Sequence, residues 1–293
     1  LCEPSQKGCF ELIPQVHQKY DFPSITSTPI GALPALFPFD IIKLLLLFNF
    51  IYSILIFMNI RLYLPVNIEE NSTSLLSKEH THYVVNVMRL KRGSNINFFN
   101  KEGEWKSEII FFDKDRVEVK ILEKVKQSMT SSNIELAICL VKKTPMETIL
   151  QKATELGVSK IMPIISERTE VKELNFERAN KIVVEATEQS NQLMPPEISK
   201  VIKLKDFLKN LDGSSKLLFA DVNSKDNLKA EILKGAKSLS VLIGPEGDFS
   251  PSERELILSN SNVLPFTISR NILRSDTAVI SAISLVNFIN NFH

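Results

Sequence analysis

The sequence predicts an α/β protein in which a small β-rich domain is followed by a larger domain built on a parallel sheet. Three short runs rich in β-branched and aromatic residues lie between residues 95 and 122 and are separated by charged turns. From residue 134 onward, apolar strands alternate with segments of helical periodicity, which is typical of βαβ units. The chain has 293 residues, which is enough for two hydrophobic cores.

Residues 1–57 do not fit this pattern. They contain six prolines, the last of them Pro38, and end in Ile41–Phe57, a run of 17 nearly apolar residues. As a helix this run would span about 25 Å, which is short of the roughly 30 Å hydrocarbon core of a membrane. Because the chain starts at Leu1 and Met58 resembles a natural beginning, we expect residues 1–57 to be a dispensable extension produced by the gene model. A membrane anchor is the alternative.

The β-rich domain is predicted to occupy residues 58–128. Its three strands are expected at Asn95–Phe99, Trp105–Phe112 and Arg116–Leu122, because these runs are β-prone and end at charged turns. This arrangement is typical of a small barrel. The Ser- and Thr-rich stretch at residues 127–133 is expected to be the linker to the second domain.

The second domain is predicted to occupy residues 133–293 and to hold a parallel sheet. Its strands are expected at Ile134–Val141, Lys160–Ile165, Lys216–Ala220, Ser240–Ile243 and Val263–Ile268. Thr144 and Glu147 have the spacing of a capping box for the helix after the first strand. The last helix, from Asp276 to about Ile289, has one broad apolar face suited to packing on the sheet or on a partner subunit.

Composition and motifs exclude several classes of site. The formal net charge of +1 neither favours nor excludes a nucleic-acid partner. Cys2, Cys9 and Cys139 show no metal-ligand spacing, and their small odd number is typical of a reducing compartment, so we expect no metal and a cytoplasmic location. The sequence has no Gly-x-Gly-x-x-Gly, no P-loop and no Gly-x-Ser-x-Gly nucleophile motif. These absences favour a cofactor held by the backbone of loops.

The most informative stretch is residues 241–253, where an apolar strand runs through Gly-Pro-Glu-Gly into a capped helix. Ser250 is the predicted N-cap residue, and Glu253 is its capping-box partner three residues on. Gly244 and Gly247 are expected to permit loop conformations and close approaches that a β-carbon would block. The loop therefore has the features of a ligand site.

A second apolar stretch leads into a polar helix cap at residues 272–278, and the two loops are predicted to face each other across that site. Both loops belong to a set of five blocks: Lys152–Gly157, Pro163–Arg168, Glu185–Ser190, Ile243–Gly247 and Ile272–Ala278. In these blocks and their order the chain resembles the RsmE-type methyltransferases of small-subunit ribosomal RNA, members of the SPOUT superfamily. The resemblance covers roughly residues 58–293.

The resemblance implies a PUA-like, RNA-facing β-barrel followed by a SPOUT α/β domain whose C-terminal loops form a trefoil knot. It also implies S-adenosylmethionine as the cofactor, bound in that knot. Cofactor contacts are carried over to Ile243, Gly244, Glu246, Gly247, Ile268, Ile272, Leu273, Arg274, Thr277 and Ala278. SPOUT proteins generally dimerise beside the knot, so the resemblance implies a homodimer.

The implied reaction is methyl transfer to N3 of a uridine in 16S ribosomal RNA, and the N3 proton must leave. Arg274 is expected to stabilise the resulting anion, since a guanidinium keeps its charge at a loop edge. Its alternative role is to bond helix-end carbonyls. Glu246 is expected either to accept the proton or to bond neighbouring backbone N–H groups. The implied partner is 16S ribosomal RNA or the small ribosomal subunit.

Contacts to RNA are expected from the first domain, where basic residues can bind phosphate. The candidates are Arg61, His82, Arg89, Lys91 and Arg92. Without the resemblance, His82 would equally be a surface or core histidine, and Lys91 and Arg92 would equally form a solvated turn.

Three positions depart from the family's pattern. Gln192 replaces an arginine that is expected to face RNA or the site. Ser269 replaces a glycine before the second loop, and Asp248 replaces the second glycine after Glu246. These departures leave one alternative open, a catalytically degenerate RNA-binding protein of the same fold.

Overall fold

The computed structural model describes residues 60–128, 132–233 and 235–292. The predictions made for residues 1–57, including the apolar run Ile41–Phe57, lie outside these ranges. Within the described ranges, no helix combines the length and the apolar character that crossing a membrane requires.

The first domain is a five-stranded sheet with one helical segment. Its elements are β1 (Arg61–Tyr63), β2 (Thr73–Leu75), α1 (Lys78–His82), a π-helix (Tyr83–Val87), β3 (Asn95–Asn100), β4 (Gly103–Phe112) and β5 (Val117–Gln127). The strand order is β1-β3-β4-β5-β2, in which β1 and β3 are parallel and the other pairs antiparallel. The three predicted strands are confirmed as β3, β4 and β5. Strands β1 and β2 escape prediction, because three residues are too few to show alternation.

The second domain is built on a parallel sheet. Its elements are β6 (Ile134–Cys139), α2 (Lys143–Glu155), β7 (Lys160–Ile165), α3 (Phe176–Gln189), β8 (Glu197–Ile198), β9 (Ile202–Lys203), α4 (Leu204–Lys209), β10 (Lys216–Ala220), α5 (Ala230–Leu233), β11 (Leu239–Ile243), α6 (Pro251–Leu258), β12 (Val263–Phe266) and α7 (Ser275–Phe292). The strands lie in the order β12-β10-β11-β6-β7-β8, with β9 also paired to β7, and the pairs are parallel. The predicted α/β fold class is therefore confirmed.

Helices cover both faces of this sheet. Successive residues of a strand point to opposite faces, so Leu136 and Ile138 of β6 pack with α2, α3 and α7, whereas Ala137 and Cys139 pack on the side of α4 and α6. The apolar face of α7 is buried in the first of these cores through Val279, Ala282, Ile283, Val286 and Ile289. Of the two expected partners for this face, the sheet and a second subunit, the structure shows the sheet.

The predicted cap of α2 at Thr144 is wrong. The helix begins at Lys143, with Lys142 as its N-cap residue, and no side chain bonds the free N–H groups there. Lys142 already has the extended backbone, with φ −55° and ψ 157°, that precedes a helix. The chain therefore enters the helix before the Thr144 hydroxyl can cap it. Thr144 lies in the first turn, where its carbonyl accepts a hydrogen bond from the hydroxyl of Thr148.

Glu188 lies where α3 meets the first domain, and its carboxylate accepts a hydrogen bond from the N–H of Tyr63 at 2.9 Å. Burial raises the pKa of this carboxyl from 4.5 to about 7, against the opposing effects of the Tyr63 bond and the Arg61 charge. The folded protein therefore binds this proton more tightly than the unfolded chain does. The stability that results is fully present below a pH of about 4.5 and is lost as the pH rises through about 7.

Glu188→Gln is expected to remove part of this pH dependence. The amide keeps an oxygen for the Tyr63 N–H but has no charge to desolvate, so the variant should gain stability relative to the parent between about pH 5 and pH 8. Urea unfolding of both proteins at the two pH values measures the difference. Glu173→Gln, which changes an exposed carboxylate, is the control. A difference in the free energy of unfolding between the parent and the Glu188 variant that does not change with pH would contradict this expectation.

Candidate functional site

The loops after β10, β11 and β12 line one cavity at the carboxyl edge of the parallel sheet. Its volume is about 620 Å³, which is within the range of small-molecule sites. The lining residues are Ala220–Val222 after β10, Ile243–Asp248 at the end of β11, and Thr267–Ser269, Asn271–Ser275 and Ala278 after β12. Ligands bind at this edge of parallel sheets because the loops and the helix N-termini converge there.

All but one of the predicted cofactor residues line this cavity. Those that do are Ile243, Gly244, Glu246, Gly247, Ile268, Ile272, Leu273, Arg274 and Ala278. Thr277 is exposed and lies outside the lining, and its N–H bonds the Asp276 carboxylate at 2.9 Å. Neighbouring residues of a helix point about 100° apart, so Ala278 faces the cavity where Thr277 does not. The cavity also includes Asp221 and Val222, which no local pattern signals, because only folding brings β10 beside β11.

The two glycines of the Gly-Pro-Glu-Gly loop do not have left-handed backbone conformations, whereas Asp248 does, at φ 58°. Gly244 is instead closely packed, because a β-carbon there would lie 3.0 Å from Cε2 of Phe249, and the ring would have to shift by a few tenths of an ångström. At Gly247 the atoms nearest to a β-carbon belong to Arg168, at an ordinary contact distance of 3.8 Å. The expectation that both glycines permit special conformations is wrong. Close packing against the protein is seen at Gly244, and close approach of a cofactor to either glycine stays a prediction.

This difference predicts unequal costs for two small substitutions. Gly244→Ala is expected to destabilise the protein by about 1 kcal/mol or more, because the buried ring of Phe249 must move. Gly247→Ala is expected to change the free energy of unfolding by less than about 0.5 kcal/mol, since its β-carbon fits. Urea unfolding measures both values, and each variant is the control for the other. Equal losses would show that packing on Phe249 does not explain Gly244.

The loop after β7 holds the Gly-Pro-Glu-Gly loop in place. Nη1 of Arg168 donates a hydrogen bond to the carbonyl of Gly247 at 2.9 Å. The carboxylate of Glu253 accepts hydrogen bonds from the N–H groups of Glu167, at 2.8 Å, and Ser250, at 3.2 Å. The capping box predicted for Ser250 and Glu253 is confirmed, and it also ties α6 to the loop after β7.

Asp221, just after β10, carries a buried charge in another wall of the cavity. Its side chain is 2% exposed, and one oxygen accepts hydrogen bonds from Nε and Nη2 of Arg254 at 3.1 and 2.6 Å. The other oxygen accepts the N–H of Asn223 at 2.9 Å. This carboxylate anchors both α6 and the loop after β10. Sequence reasoning misses the pair because 33 positions separate Asp221 from Arg254.

Arg274 and Glu246, the predicted catalytic residues, both lie on the cavity lining. The Arg274 side chain is 75% exposed and forms an ion pair with Asp276 at 3.8 Å. In the part of the chain that the structure describes, no hydrogen bond joins the Glu246 side chain to another residue. The alternative roles, in which these two groups bond helix-end carbonyls and loop N–H groups, are thus not seen among the described residues. Both charged groups are exposed at the cavity.

A larger cavity, of about 900 Å³, lies at the opposite edge of the sheet, around the amino ends of β6, β7, β10 and β11. Two of its three lysines are paired with neighbouring carboxylates, Lys160 with Glu197 and Lys237 with Asp212. None of the five sequence blocks reaches its lining. We therefore assign the functional site to the smaller cavity.

Comparison with known proteins decides the family. A family model described as an RNA methyltransferase domain matches residues 127–287, and one described as an RNA methyltransferase PUA domain matches residues 76–122. The ribosomal RNA small subunit methyltransferase E of Rickettsia conorii is 36% identical over 238 residues, which cover 79% of this chain and 96% of that protein. This chain belongs to the methyltransferase E family. The Bacillus subtilis member is 30% identical over 242 residues, covering 75% of this chain and 92% of that protein.

Solved structures support the same fold. The methyltransferase E of Neisseria gonorrhoeae, bound to S-adenosyl methionine, has a TM-score of 0.73 and 27% identity, and the match covers 79% of this chain and 98% of that one. A putative methyltransferase of Legionella pneumophila in complex with the same cofactor has a TM-score of 0.68 and 27% identity, covering 78% of this chain and 97% of that one. The PUA-type first domain and the parallel-sheet second domain expected of this family are confirmed.

Four residues of this protein that are expected to bind RNA are exposed on the first domain. His82 ends α1, and Arg89 follows the π-helix with a left-handed φ of 52°. Lys91 and Arg92 lie in the turn before β3. Their exposure leaves them available to phosphate, and their role in RNA binding stays a prediction.

Arg61 contradicts its expected role as an RNA ligand, because it is buried between the two domains. Its side chain is 9% exposed, and Nε lies 3.1 Å from the carboxylate of Glu104. Its Nη atoms donate hydrogen bonds to the carbonyls of Thr187, Glu188 and Gln192 at 3.3, 3.0 and 2.7 Å. All three nitrogen atoms of the guanidinium therefore donate hydrogen bonds within the protein.

Gln192 also differs from expectation. Its amide donates to the carbonyls of Thr154 and Glu155 at the end of α2, and the residue does not line the cavity. The family's arginine at this position was expected to face RNA or the site. For this chain a place at the site is wrong, and a place beside RNA stays a prediction. Ser269 does line the cavity, where its hydroxyl accepts the N–H of Asn271 at 3.0 Å and holds a local turn.

Proposed function

We propose that this protein transfers the methyl group of S-adenosylmethionine to N3 of a uridine in 16S ribosomal RNA. Membership of the methyltransferase E family supports methylation of small-subunit ribosomal RNA, and the related structures that hold the cofactor support its use here. Within this chain, the observation that carries the proposal is the cavity at the ends of β11 and β12. Arg274 and Glu246 are exposed there beside an apolar lining.

The residues of the cavity fit this cofactor. Side chains of Ile243, Ile268 and Leu273 provide apolar surface for an adenine ring. The loop at residues 244–248 provides backbone N–H and C=O groups for its polar edges. When bound, S-adenosylmethionine supplies an electrophilic methyl group on a positively charged sulfur.

Arg274 and Glu246 have different roles in activating the uridine. The N3 nitrogen becomes nucleophilic when its proton leaves, and negative charge then spreads to the uracil oxygens. A guanidinium placed beside those oxygens stabilises this charge more than it stabilises the neutral base, so Arg274 lowers the barrier. Glu246, exposed on the same lining, is the proposed proton acceptor. No metal ion takes part in this proposal.

The first domain is proposed to hold the RNA. A uridine inside a paired helix must turn outward to enter a cavity, which requires the flanking backbone to be held. His82, Arg89, Lys91 and Arg92 are exposed and can bind phosphates without reading sequence. The proposed partner is 16S ribosomal RNA or the small ribosomal subunit, in the cytoplasm.

We also propose that two copies form a homodimer beside the C-terminal loops, as the resemblance implies. The apolar face of α7 does not supply the interface, because it packs on the protein's own sheet. The contact must therefore use other surface near the cavity. Light scattering at micromolar concentration is expected to give the mass of a dimer, and a fully active monomer would contradict this.

The alternative, an RNA-binding protein that has lost turnover, receives little support. Gln192, one of the departures that left it open, bonds the end of α2 and lies outside the cavity lining. Ser269, another of these departures, keeps a local turn. Because both catalytic candidates are present at the cavity, the geometry favours an enzyme.

Nucleoside mass spectrometry of small-subunit ribosomal RNA from cells that lack the gene tests the proposed function. We expect 3-methyluridine to disappear and to return when the parent gene is supplied. A gene carrying Arg274→Ala should restore little of it. Unchanged 3-methyluridine in the cells that lack the gene would contradict the proposal.

A further inference from the structure

The two domains are joined at Arg61, whose guanidinium is shared between them. From the first domain, Glu104 binds Nε, and the guanidinium carbon lies 4.2 Å from the ring centre of Phe99. From the second domain, carbonyls at the end of α3 and in the following turn accept its other N–H groups. We call this set of contacts the interdomain arginine site.

The interdomain arginine site fixes the orientation of the first domain as well as its distance from the end of α3. Glu104 is 5% exposed and accepts a hydrogen bond from Nδ2 of Asn97 at 2.7 Å, so its carboxylate cannot swing to follow a moving arginine. Carbonyls at the end of a helix carry the negative end of its dipole and point along its axis. A planar guanidinium with five donors can make all four of these hydrogen bonds at once, whereas an ammonium has only three N–H donors.

Among the described residues, the other hydrogen bonds between the domains go to the same short segment, residues 188–192. The N–H of Tyr63 bonds the Glu188 carboxylate at 2.9 Å, and Nζ of Lys126 bonds the Asn191 carbonyl at 2.8 Å. The Gln192 amide ties this segment to the end of α2, which packs with α7 in one core. The first turn of α7 lines the cavity. The segment therefore connects the first domain, through α2, to a helix that forms part of the cavity lining.

We propose that Arg61 is a positioning residue for methyl transfer. It holds the first domain in one orientation to the cavity, so that RNA bound on the first domain presents its uridine at Arg274. This inference rests on the proposed function, because it takes the first domain as the surface that holds RNA. Arg61 itself contacts neither RNA nor cofactor, and it acts through the placement of the domain.

A positioning role has its own kinetic signature. A first domain that is displaced still binds RNA, so the KM for RNA changes little while kcat falls. A displacement of about 1 Å costs about a hundredfold in rate. A direct phosphate contact would give the opposite pattern, in which KM rises while kcat holds.

Two variants test the proposal in the full chain. Arg61→Lys keeps a charge for Glu104 but cannot make the paired contacts. Arg61→Met combined with Glu104→Gln avoids a buried, unpaired carboxylate. Arg116→Met, which changes an exposed arginine of the same domain, is the matched control.

The measurements are kcat and KM on small ribosomal subunits and the affinity for S-adenosylmethionine by calorimetry. The double variant is expected to lose about a hundredfold in kcat, and the lysine variant less. KM and cofactor affinity should stay within about threefold of the parent values, because neither bound surface changes. The control should match the parent in every measurement.

Hydrogen exchange separates lost placement from unfolding. The Tyr63 N–H, which bonds Glu188 across the boundary, should exchange faster in both variants, while amides of β3, β4 and β5 stay protected. A parent-like kcat in both variants would overturn the proposal. A raised KM with unchanged kcat, or a parallel loss of cofactor affinity, would do so too. A parent protein that fails to methylate small subunits would instead contradict the proposed function.

Discussion

Arg274→Ala is expected to lower kcat about a hundred- to a thousandfold while changing the affinity for S-adenosylmethionine only slightly. One preorganised charge contact to a developing anion contributes about 3–4 kcal/mol to transition-state stabilisation. The Arg274 side chain is 75% exposed at the cavity, so removing it disturbs no packed core. Because the contact strengthens only as N3 loses its proton, the loss should appear in kcat. Single-turnover methylation of small subunits and calorimetry with the cofactor measure the two quantities.

Two further variants show whether the loss of rate is specific to the Arg274 guanidinium. Arg274→Lys should recover part of the rate, since a point charge can attract the anion but cannot make the paired contacts of a guanidinium. Arg270→Ala removes a neighbouring exposed arginine outside the lining and should have a small effect on kcat. Turnover by Arg274→Ala at near the parent rate would show that this arginine has a structural role. Glu246 or another group would then be the better catalytic candidate.

Arg254→Met is expected to destabilise the protein by about 3 kcal/mol. Its guanidinium supplies two hydrogen bonds to one oxygen of Asp221, whose side chain is 2% exposed. Removing one partner of such a pair leaves a buried charge without compensation, which is more costly than losing an exposed ion pair. Because Asp221 lies in the cavity wall, cofactor affinity should fall as well. Urea unfolding and calorimetry measure the two effects.

The matched control adds Asp221→Asn to Arg254→Met. The amide has no charge to leave unpaired, and its oxygen can still accept the N–H of Asn223, so most of the lost stability should return. If the double variant is as unstable as Arg254→Met, the unpaired carboxylate is not the cause of the loss.

Local patterns predicted the elements whose own residues decide their structure. Strands β7 and β10 occupy the predicted ranges Lys160–Ile165 and Lys216–Ala220, because apolar runs bounded by polar turns determine buried strands. The capping box of Ser250 and Glu253 depends on residues three positions apart and was predictable for the same reason. All three cavity loops lie at the ends of predicted strands, so most of the lining followed from topology.

The residues that sequence reasoning misplaced depend on contacts across long separations. Arg61 bonds carbonyls 126 to 131 positions away, and nothing near Arg61 in the sequence distinguishes a helix end from an RNA phosphate as its partner. Gln192 likewise bonds the end of α2 from 38 positions away. Thr277 differs from Ala278 only in the direction that its side chain takes from the helix. These roles require the packing of the two domains, which periodicity does not describe.

The most direct test supplies the full chain with small ribosomal subunits and S-adenosylmethionine that carries a deuterated methyl group. Nucleosides released from the ribosomal RNA are then identified by mass spectrometry. The expected product is 3-methyluridine with the deuterated methyl group, found in 16S ribosomal RNA and nearly absent with Arg274→Ala. Label on another atom of uridine, label on another nucleoside, or no label at all would contradict the proposed transfer to N3.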